Sequence, residues 1–402
     1  MKTREVKLGE VANVKGGKRI PKGIGLINIP NGHPYIRVRD LNNKRLLELD
    51  NSYEYVDNET QKVISKYTVK TGDVVLSIVG TIGLVAIVGR TLDGANLTEN
   101  CAKLSSFHGV NRDFLYYYLR SDCGQQEIRC GTVGAVQAKL PIKNIQNIAI
   151  NLPDYTTQER IASLLLSIDR KIELNQKIND NLEQQAVALF KSWFVDFSLF
   201  GGTVPENWED TTLENITTLI TRGIAPKYSD NSDQTVVNQK CIRNHTIDLS
   251  LARTHTPKAI NEKWLKFGDL LINSTGDGTL GRVAQVWFAP KALTVDSHVT
   301  IVRPAREELI FYIGLWGILH EKEIESLHTG STGQTELPRD RVKMLKLLLP
   351  DNISLSRFNS IITPMASTII SNQEENQKLA SLRDTLLPKL MSGEIDVSNI
   401  QF

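Results

Sequence analysis

Leu152-Pro153-Asp154, followed by Arg160, Ile172, Asn175, Gln176, Asn179, Leu182 and Leu189, returns 197 residues later as Leu349-Pro350-Asp351, followed by Arg357, Ile369, Asn372, Gln373, Asn376, Leu379 and Leu386. Upstream, Gln137, Leu140 and Pro141 fall on Gln334, Leu337 and Pro338 at the same offset. The chain is therefore written twice. A period this long belongs to a duplicated module, since stacked arrays repeat every ~20–50 residues. Further matches run toward the start of each copy with a drifting offset: Pro21-Lys22 with Pro226-Lys227, Gly72-Asp73-Val74-Val75 with Gly268-Asp269-Leu270-Leu271, and Gly80-Thr81-Ile82-Gly83 with Gly278-Thr279-Leu280-Gly281. The drift means that loops have changed length on a fixed framework, which suits two binding units of different specificity. A chain carrying one unit twice can read two places on a repeating partner, and duplex DNA is such a partner.

The recurring stretch reads as helix. Thr156-Thr157-Gln158-Glu159 has the form of a capping box. Beyond it, Ile161, Leu165, Ile168, Ile172, Asn175, Asn179, Leu182, Ala186, Leu189 and Trp193 alternate at spacings of four and three, a heptad seam. About 40 helical residues at ~1.5 Å each make a helix of roughly 60 Å. The second copy supplies a matching seam in Phe358, Ile362, Met365, Ile369, Asn372, Asn376, Leu379, Arg383, Leu386 and Leu390. Two such seams in one chain are most simply buried against each other as an antiparallel coiled-coil pair, which creates a pseudo-twofold axis. Asn175, Asn179, Asn372 and Asn376 in this seam are read as setting its register. Pro364 and Pro388 are expected to kink or delimit the second helix. Trp193, Phe194 and Phe197 are bulky for a seam and are read as packing the helix end against the second globular unit, with an exposed partner patch as the alternative.

A chain of 402 residues exceeds what one core serves. Each copy opens with short strand-like runs such as Tyr35-Ile36-Arg37-Val38 and Val74-Val75-Leu76-Ser77-Ile78-Val79, with a short helix expected over residues 113–120, so the fold class is α+β. The expected divisions are residues 1–154 and 201–352 for the two globular domains, and 155–200 and 353–402 for the helices that join them. The net charge of +2 makes binding of nucleic acid a matter of local basic loops instead of bulk charge. Cys101, Cys123, Cys130 and Cys241 lack metal-ligand spacing and read as free thiols in a reducing compartment. The charged start and the lack of any apolar run of about 18 residues argue against a signal peptide or membrane span, so a cytoplasmic protein is expected.

Catalysis by this chain is not expected. An amino-methyltransferase uses an Asn/Asp-Pro-Pro-aromatic motif to hold its target amine, and none occurs. A phosphate-cradling Gly-x-x-x-x-Gly-Lys-Ser/Thr is also missing. The glycine-rich run from Gly276 to Gly281 lacks the lysine and reads as a turn after a strand, and Glu5-Val6-Lys7 reads as an alternating strand. No residue cluster points to a metal.

Contact with DNA calls for Arg and Lys on phosphate and guanine, and for Asn and Gln on adenine edges. The candidates in the first copy are Lys15, Lys18, Arg19 and Lys22 around Gly16-Gly17, Arg37 and Arg39 near Asn42-Asn43, and Gln137 with Lys139. In the second copy they are Arg222 and Lys227 in the matching opening loop, Lys240, Arg243 and Asn244 after the next strand, and Gln334 and Arg339 near the closing turn. A single surface cation is ordinarily just solvated. The assignment rests on clusters at matching places.

Longer strings carry a family resemblance. Arg160-Ile161-Ala162, Ile168-Asp169-Arg170-Lys171-Ile172-Glu173-Leu174-Asn175 and Leu189-Phe190-Lys191-Ser192-Trp193-Phe194-Val195-Asp196-Phe197 resemble the central conserved region of type I restriction-modification specificity subunits. Leu386-Leu387-Pro388-Lys389-Leu390-Met391-Ser392-Gly393-Glu394-Ile395 resembles their distal region, and residues 334–337 with Leu349-Pro350 resemble the close of a target recognition domain. One departure is Pro205-Glu206-Asn207-Trp208, which opens the second domain and has no Pro or Trp counterpart in the first. The resemblance implies two pseudo-symmetric recognition domains, each reading half of an asymmetric bipartite DNA target. It implies that the helical pair spaces them and docks two methyltransferase subunits, which methylate adenine from S-adenosylmethionine. Motor-nuclease subunits that use ATP and magnesium add restriction of unmodified DNA. This chain would bind no cofactor itself. The rival reading is a scaffold that joins proteins through the helices without reading DNA, and the near-neutral charge is what favours it.

Overall fold

The structure is a computed structural model, which describes residues 3–41, 44–134, 136–276, 278–330 and 335–397. The chain divides into two compact units, one of residues 1–173 with 377–402 and the other of 174–376. Both long helices, Tyr155–Phe194 and Asn352–Ser392, contribute to both units.

In the first unit a five-stranded sheet runs in the order Asn13–Gly16, Cys101–Ser105, Val74–Ser77, Val85–Val88 and Leu46–Leu47, antiparallel except for the last pair. Every residue of Val74–Ser77 and Val85–Val88 is buried, which is why these strands are written as unbroken runs of small and apolar residues. Side chains alternate between two cores. Val74 and Leu76 pack with Phe114, Leu115 and the first long helix, while Val75 packs with Leu41, Leu47 and Val88 on the other face. A second sheet pairs Pro34–Ile36 antiparallel with Glu54–Tyr55 and parallel with Asn96–Leu97. Thr3–Lys7 closes the unit by pairing with Ala149–Pro153, so Glu5-Val6-Lys7 is the strand that its alternation suggests.

The second unit repeats this plan. Its main sheet runs Thr217–Arg222, Val299–Pro304, Leu270–Asn273 and Val283–Gln285, its second sheet again has one antiparallel and one parallel pair, and Glu209–Thr212 pairs with Lys346–Leu349. Equivalent glycines share a left-handed backbone: Gly72 and Gly268 at φ +87° and +88°, Gly80 and Gly278 at +80° and +66°, Gly83 and Gly281 at +95° and +83°. The aspartate after the first of these accepts the amide three residues earlier in both copies, Asp73 from Lys70 at 2.9 Å and Asp269 from Lys266 at 2.8 Å. A cation on the neighbouring strand meets each carboxylate, Lys103 at 3.3 Å and Arg303 at 2.7 Å.

The helices start at Asp154 and Asp351, one residue into the repeat's Pro-Asp. Asp154 accepts the amide and hydroxyl of Thr157 at 3.0 and 2.7 Å. This corrects the expected capping box, because Thr156 already lies within the first turn and the shorter Asp side chain before it reaches the free amide. Asp351 accepts from Ile353 and Ser354 amides at 2.8 and 3.0 Å and also from the Trp208 indole at 2.8 Å, which gives the Pro-x-x-Trp opening of the second copy its role. Burial alone pushes the Asp351 carboxyl up, but the Ser354, Trp208 and Ile353 hydrogen bonds outweigh it and hold the pKa at about 2. The second helix continues unbroken through Pro364 and Pro388, so neither delimits it. Both prolines are exposed, as are Ser360 and Asp384, whose carbonyls lose their helical donors, and water can satisfy those groups.

No residue of either predicted seam is exposed. In the second unit the helices meet antiparallel through paired amides: Asn179 Oδ1 accepts from Asn372 Nδ2 at 2.8 Å, and Asn175 Nδ2 donates to Asn376 Oδ1 at 3.0 Å and to Glu375 at 2.7 Å. Each asparagine pairs with the repeat-equivalent of the other, the local pseudo-twofold that the sequence predicts. In the first unit the seam carries an ion pair instead. Asp169, 4% exposed, accepts from Arg383 at 2.9 Å and from the Tyr117 hydroxyl at 2.6 Å. The repeat-equivalent positions, 169 + 197 and 383 − 197, are Ala366 and Ala186, both buried in the core of the second unit. Nearby, Glu173 takes a bidentate pair of bonds from Arg45 at 2.7 and 2.8 Å. Trp193 and Phe194 lie in the aromatic core of the second unit with Phe190, Trp208, Tyr312 and Phe358, and Phe197 packs at its edge. They are packing residues, as the first of the two sequence readings holds.

Two outcomes follow from this geometry. Arg383→Ala strands a buried carboxylate and lowers unfolding free energy by about 3 kcal/mol or more, whereas the double change Asp169→Ala with Arg383→Ala, which copies the alanine pair of the other unit, costs less than the single one. Denaturant titration of both variants checks the order, and a double variant less stable than the single one contradicts it. Asp351→Ala removes a helix cap worth about 1 kcal/mol at pH 7. The folded carboxyl titrates below an unfolded one near 3.9, so its contribution is complete above about pH 5 and is lost as pH falls toward 2. The stability gap between wild type and variant therefore narrows from pH 6 to pH 3, and a gap independent of pH disproves the capping role of the charge.

Candidate nucleic-acid interface

Each copy opens its site with a glycine at which a Cβ would collide with the facing backbone. A Cβ on Gly17 would lie 2.1 Å from the Thr98 carbonyl oxygen, and one on Gly223 would lie 1.9 Å from that of Val295. The close approach lets the following amide reach the facing strand, Lys18 N donating to Leu97 O at 2.8 Å and Ile224 N to Val295 O at 2.9 Å. The opening loops are thereby folded back on the sheet and their cations displayed. Lys15, Lys18, Lys22 and Lys227 are exposed. Arg19, exposed too, bonds through Nε to Glu99 at 2.5 Å, and Lys18 lies over the Tyr67 ring at 5.7 Å from its centre.

The remaining candidates divide into free and tethered side chains. Arg37 and Arg39 both converge on Glu54, Arg39 at 2.6 Å, so one carboxylate holds the pair side by side. The adjoining Asn42 and Asn43 lie outside the described residues. Asp40, which accepts from the Arg37 amide at 2.7 Å, is pushed up to about 6 by burial, against the pull of Arg39 and Lys44. Arg222 is committed to structure: it donates to the Leu337 carbonyl at 3.0 Å and pairs with Glu336 at 2.6 Å. That contact joins the opening strand of the second copy to its closing hairpin.

The closing hairpin recurs in both units. Val133 and Lys139 exchange two backbone bonds of 2.9 Å, and Thr329 and Glu336 exchange bonds of 2.8 and 2.9 Å. In both, the residue after the hairpin returns to the sheet, Leu140 N to Ile78 O and Leu337 N to Ser274 O. Gln137 and Lys139 are exposed at the first tip with Val136, which is fully exposed. Gln334, at the second, lies outside the described residues, while Arg339 is exposed at the start of the short helix that follows.

Lys240 is exposed on a turn capped by Asn238, next to Gln239, whose carbonyl accepts from Asn273 at 3.0 Å. Arg243 ends a strand that pairs with Thr246–Ile247, and Asn244 lies on the two-residue turn between them, Asn244-His245, with φ of +51° and +60°. There His245 Nε2 lies 3.4 Å from Glu321, so this tip is anchored beside the helix Glu321–Ser326. In the second copy the structure thus brings the opening strand and closing hairpin together through Arg222, and sets Arg243 and Asn244 on a separate element. Sequence reading missed the Thr275 hydroxyl, which meets His298 Nδ1 at 2.7 Å and Gln239 at 3.4 Å. It also missed Gly223, whose signal was its place opposite Gly17 in the repeat. Among the described residues no group of three or more His, Cys, Asp or Glu could hold a metal, and no helix is long and apolar enough to cross a membrane. The four cysteines are free, Cys101 and Cys241 buried and Cys123 and Cys130 exposed.

The type I restriction enzyme MjaIX specificity subunit of Methanocaldococcus jannaschii aligns with this chain over 393 residues at 25% identity, covering 91% of this chain and 88% of its own. The profile of the type I restriction modification DNA specificity domain matches residues 2–184. In sequence, the chain is thus similar to type I restriction-modification specificity subunits. A second relative, the type I restriction enzyme HindI specificity subunit of Haemophilus influenzae, is 22% identical over 346 residues and covers 67% of this chain and 73% of its own. The crystal structure of a type I restriction-modification system S subunit from M. genitalium shares the fold at a TM-score of 0.55, with 16% identity, over 97% of this chain and 96% of that one.

The two glycines supply the test of this site. Gly17→Ala and Gly223→Ala each force a Cβ into a backbone carbonyl, an overpacking that costs about 1–3 kcal/mol. Thermal unfolding of the two variants checks it, and unchanged melting temperatures show that the loops are not closed against the strands in solution.

Proposed function

We propose that this chain is the non-catalytic specificity subunit of a type I restriction-modification system and reads a bipartite, asymmetric DNA sequence, one half-site for each recognition domain. The domains span residues 1–154 and 201–352, and the helices of 155–200 and 353–402 set the unread gap between half-sites. The observation that carries this reading is the repeated framework with unlike loops. The glycine turns, the Gly-Asp corner with its cation and the closing hairpin are shared, while one copy displays Lys18, Arg19 and Lys22 and the other Lys227 and a separate 242–247 hairpin. Identical scaffolds with different displayed side chains suit two different base sequences. Lysines at the rims serve phosphate, and the amides and arginines serve base edges.

The same helices dock two methyltransferase subunits, which transfer methyl groups from S-adenosylmethionine to adenine. Motor-nuclease subunits using ATP and magnesium join for restriction. The near-neutral overall charge places the electrostatic attraction in the loops, so affinity falls with salt according to the few phosphates those loops neutralise.

Co-expression with the cognate methyltransferase subunit, followed by mapping of N6-methyladenine across the host genome, tests the reading. One split motif with a constant gap is expected. A stable complex with no new methylation overturns it in favour of a protein scaffold. Adding a heptad to both helices lengthens the gap and leaves both half-sites unchanged; altered half-sites refute the helices' role as spacer.

A further inference from the structure

In the second unit most arginines are spent on the protein itself. Arg222 holds the closing hairpin, Arg303 grips Asp269 and the Trp264 carbonyl, and Arg282 and Arg341 bond to the Gly278 and Leu327 carbonyls. Arg253 is held differently. Its guanidinium carbon lies 3.7 Å from the centre of the Tyr228 ring, a stacking distance, and both residues are exposed. The residues that present the stack are themselves fixed. Residues 227–229 run antiparallel to 254–256, with Thr256 N bonded to Lys227 O at 2.8 Å and Ser229 N to Thr254 O at 3.2 Å, and Arg253 pairs with Val236 in the second sheet. Tyr228 follows directly on Lys227, in the loop folded back by Gly223.

A guanidinium lying flat on an aromatic ring loses none of its in-plane N–H donors to the contact, and the ring stops the fork from rotating. A planar, oriented fork matches the O6 and N7 acceptors on the major-groove edge of guanine, whereas a phosphate is met as well by a mobile lysine. We propose that Arg253, held on Tyr228, reads a guanine in the half-site of the second recognition domain. Arg253 is the contacting residue and Tyr228 the positioning residue. The proposal rests on the DNA-reading function above and adds to it one residue and one base.

The test uses the full chain in complex with its methyltransferase subunit and duplexes that carry the mapped target. Each guanine of the second half-site is replaced in turn by 7-deazaguanine, which lacks the N7 acceptor. Wild type is expected to lose about tenfold in affinity or more at one of these positions. Arg253→Ala and Arg253→Lys lose a similar factor on the unmodified target and become indifferent to 7-deazaguanine at that position alone, with unchanged unfolding midpoints. Tyr228→Leu keeps the sensitive position but weakens binding to it. A second half-site without guanine overturns the proposal, as does unaltered binding by Arg253→Ala. So does a loss that is uniform across sequences with a shallower salt dependence, which marks a phosphate contact. If the wild-type complex shows no split target at all, it is the underlying function that fails, and the two failures are told apart by the methylation map.

Discussion

Polar groups in the seam between the two long helices constrain how those helices pack within each unit. An apolar seam can slide by a turn at modest cost, because one leucine packs about as well as another. A seam holding Asn175, Asn179, Asn372 and Asn376 cannot, since each displaced amide would lose its partner inside the protein. Asp169 and Arg383 add a stronger condition, because a buried carboxylate is tolerable only next to its cation and the Tyr117 hydroxyl. The orientation and register of the helices are thus set by a handful of side chains. Since the helix ends also build the domain cores, Leu390 with Ile161 in one unit and Phe358 with Phe190 in the other, register and domain packing are one decision.

Duplication supplies the symmetry, and its departures supply the asymmetry. The alanines at 186 and 366 stand where the other unit has Arg383 and Asp169, so the two ends of the seam are chemically distinct. The second cap carries an extra donor from Trp208 that the first lacks. The same pattern holds at the candidate interfaces of the two copies. Backbone geometry at the glycines is common to both copies, while the cations differ in number, in place and in what restrains them. Glu54 holds Arg37 and Arg39, Glu99 bonds to Arg19, and Tyr228 underlies Arg253. On the proposed function such restraint matters more than net charge, because an oriented donor discriminates where a loose one only attracts.

The helices were legible in the sequence because 3.5-residue periodicity over forty residues leaves few alternatives, and both seams are unexposed along their whole length. Boundaries were less so. The capping box at Thr156 was a plausible local pattern that lost to Asp154, whose carboxylate was equally available and better placed. Pro364 and Pro388 looked like stops, yet an exposed proline inside a helix anchored at both ends costs one hydrogen bond that water can replace.

What the sequence determined by itself is the duplication, the pairing of the helices and the equivalence of the glycine corners, since these rest on repetition and periodicity, which are properties of order along the chain. What only the tertiary structure decided is which charged side chains are free. Arg222 and Arg303 look like surface cations in the sequence and are structural, while Arg253 looks unremarkable and stands on an aromatic platform. The difference lies in partners contributed from distant positions: Glu336 for Arg222, Asp269 for Arg303, Tyr228 for Arg253. A charge is available to a ligand only when the fold has not already satisfied it.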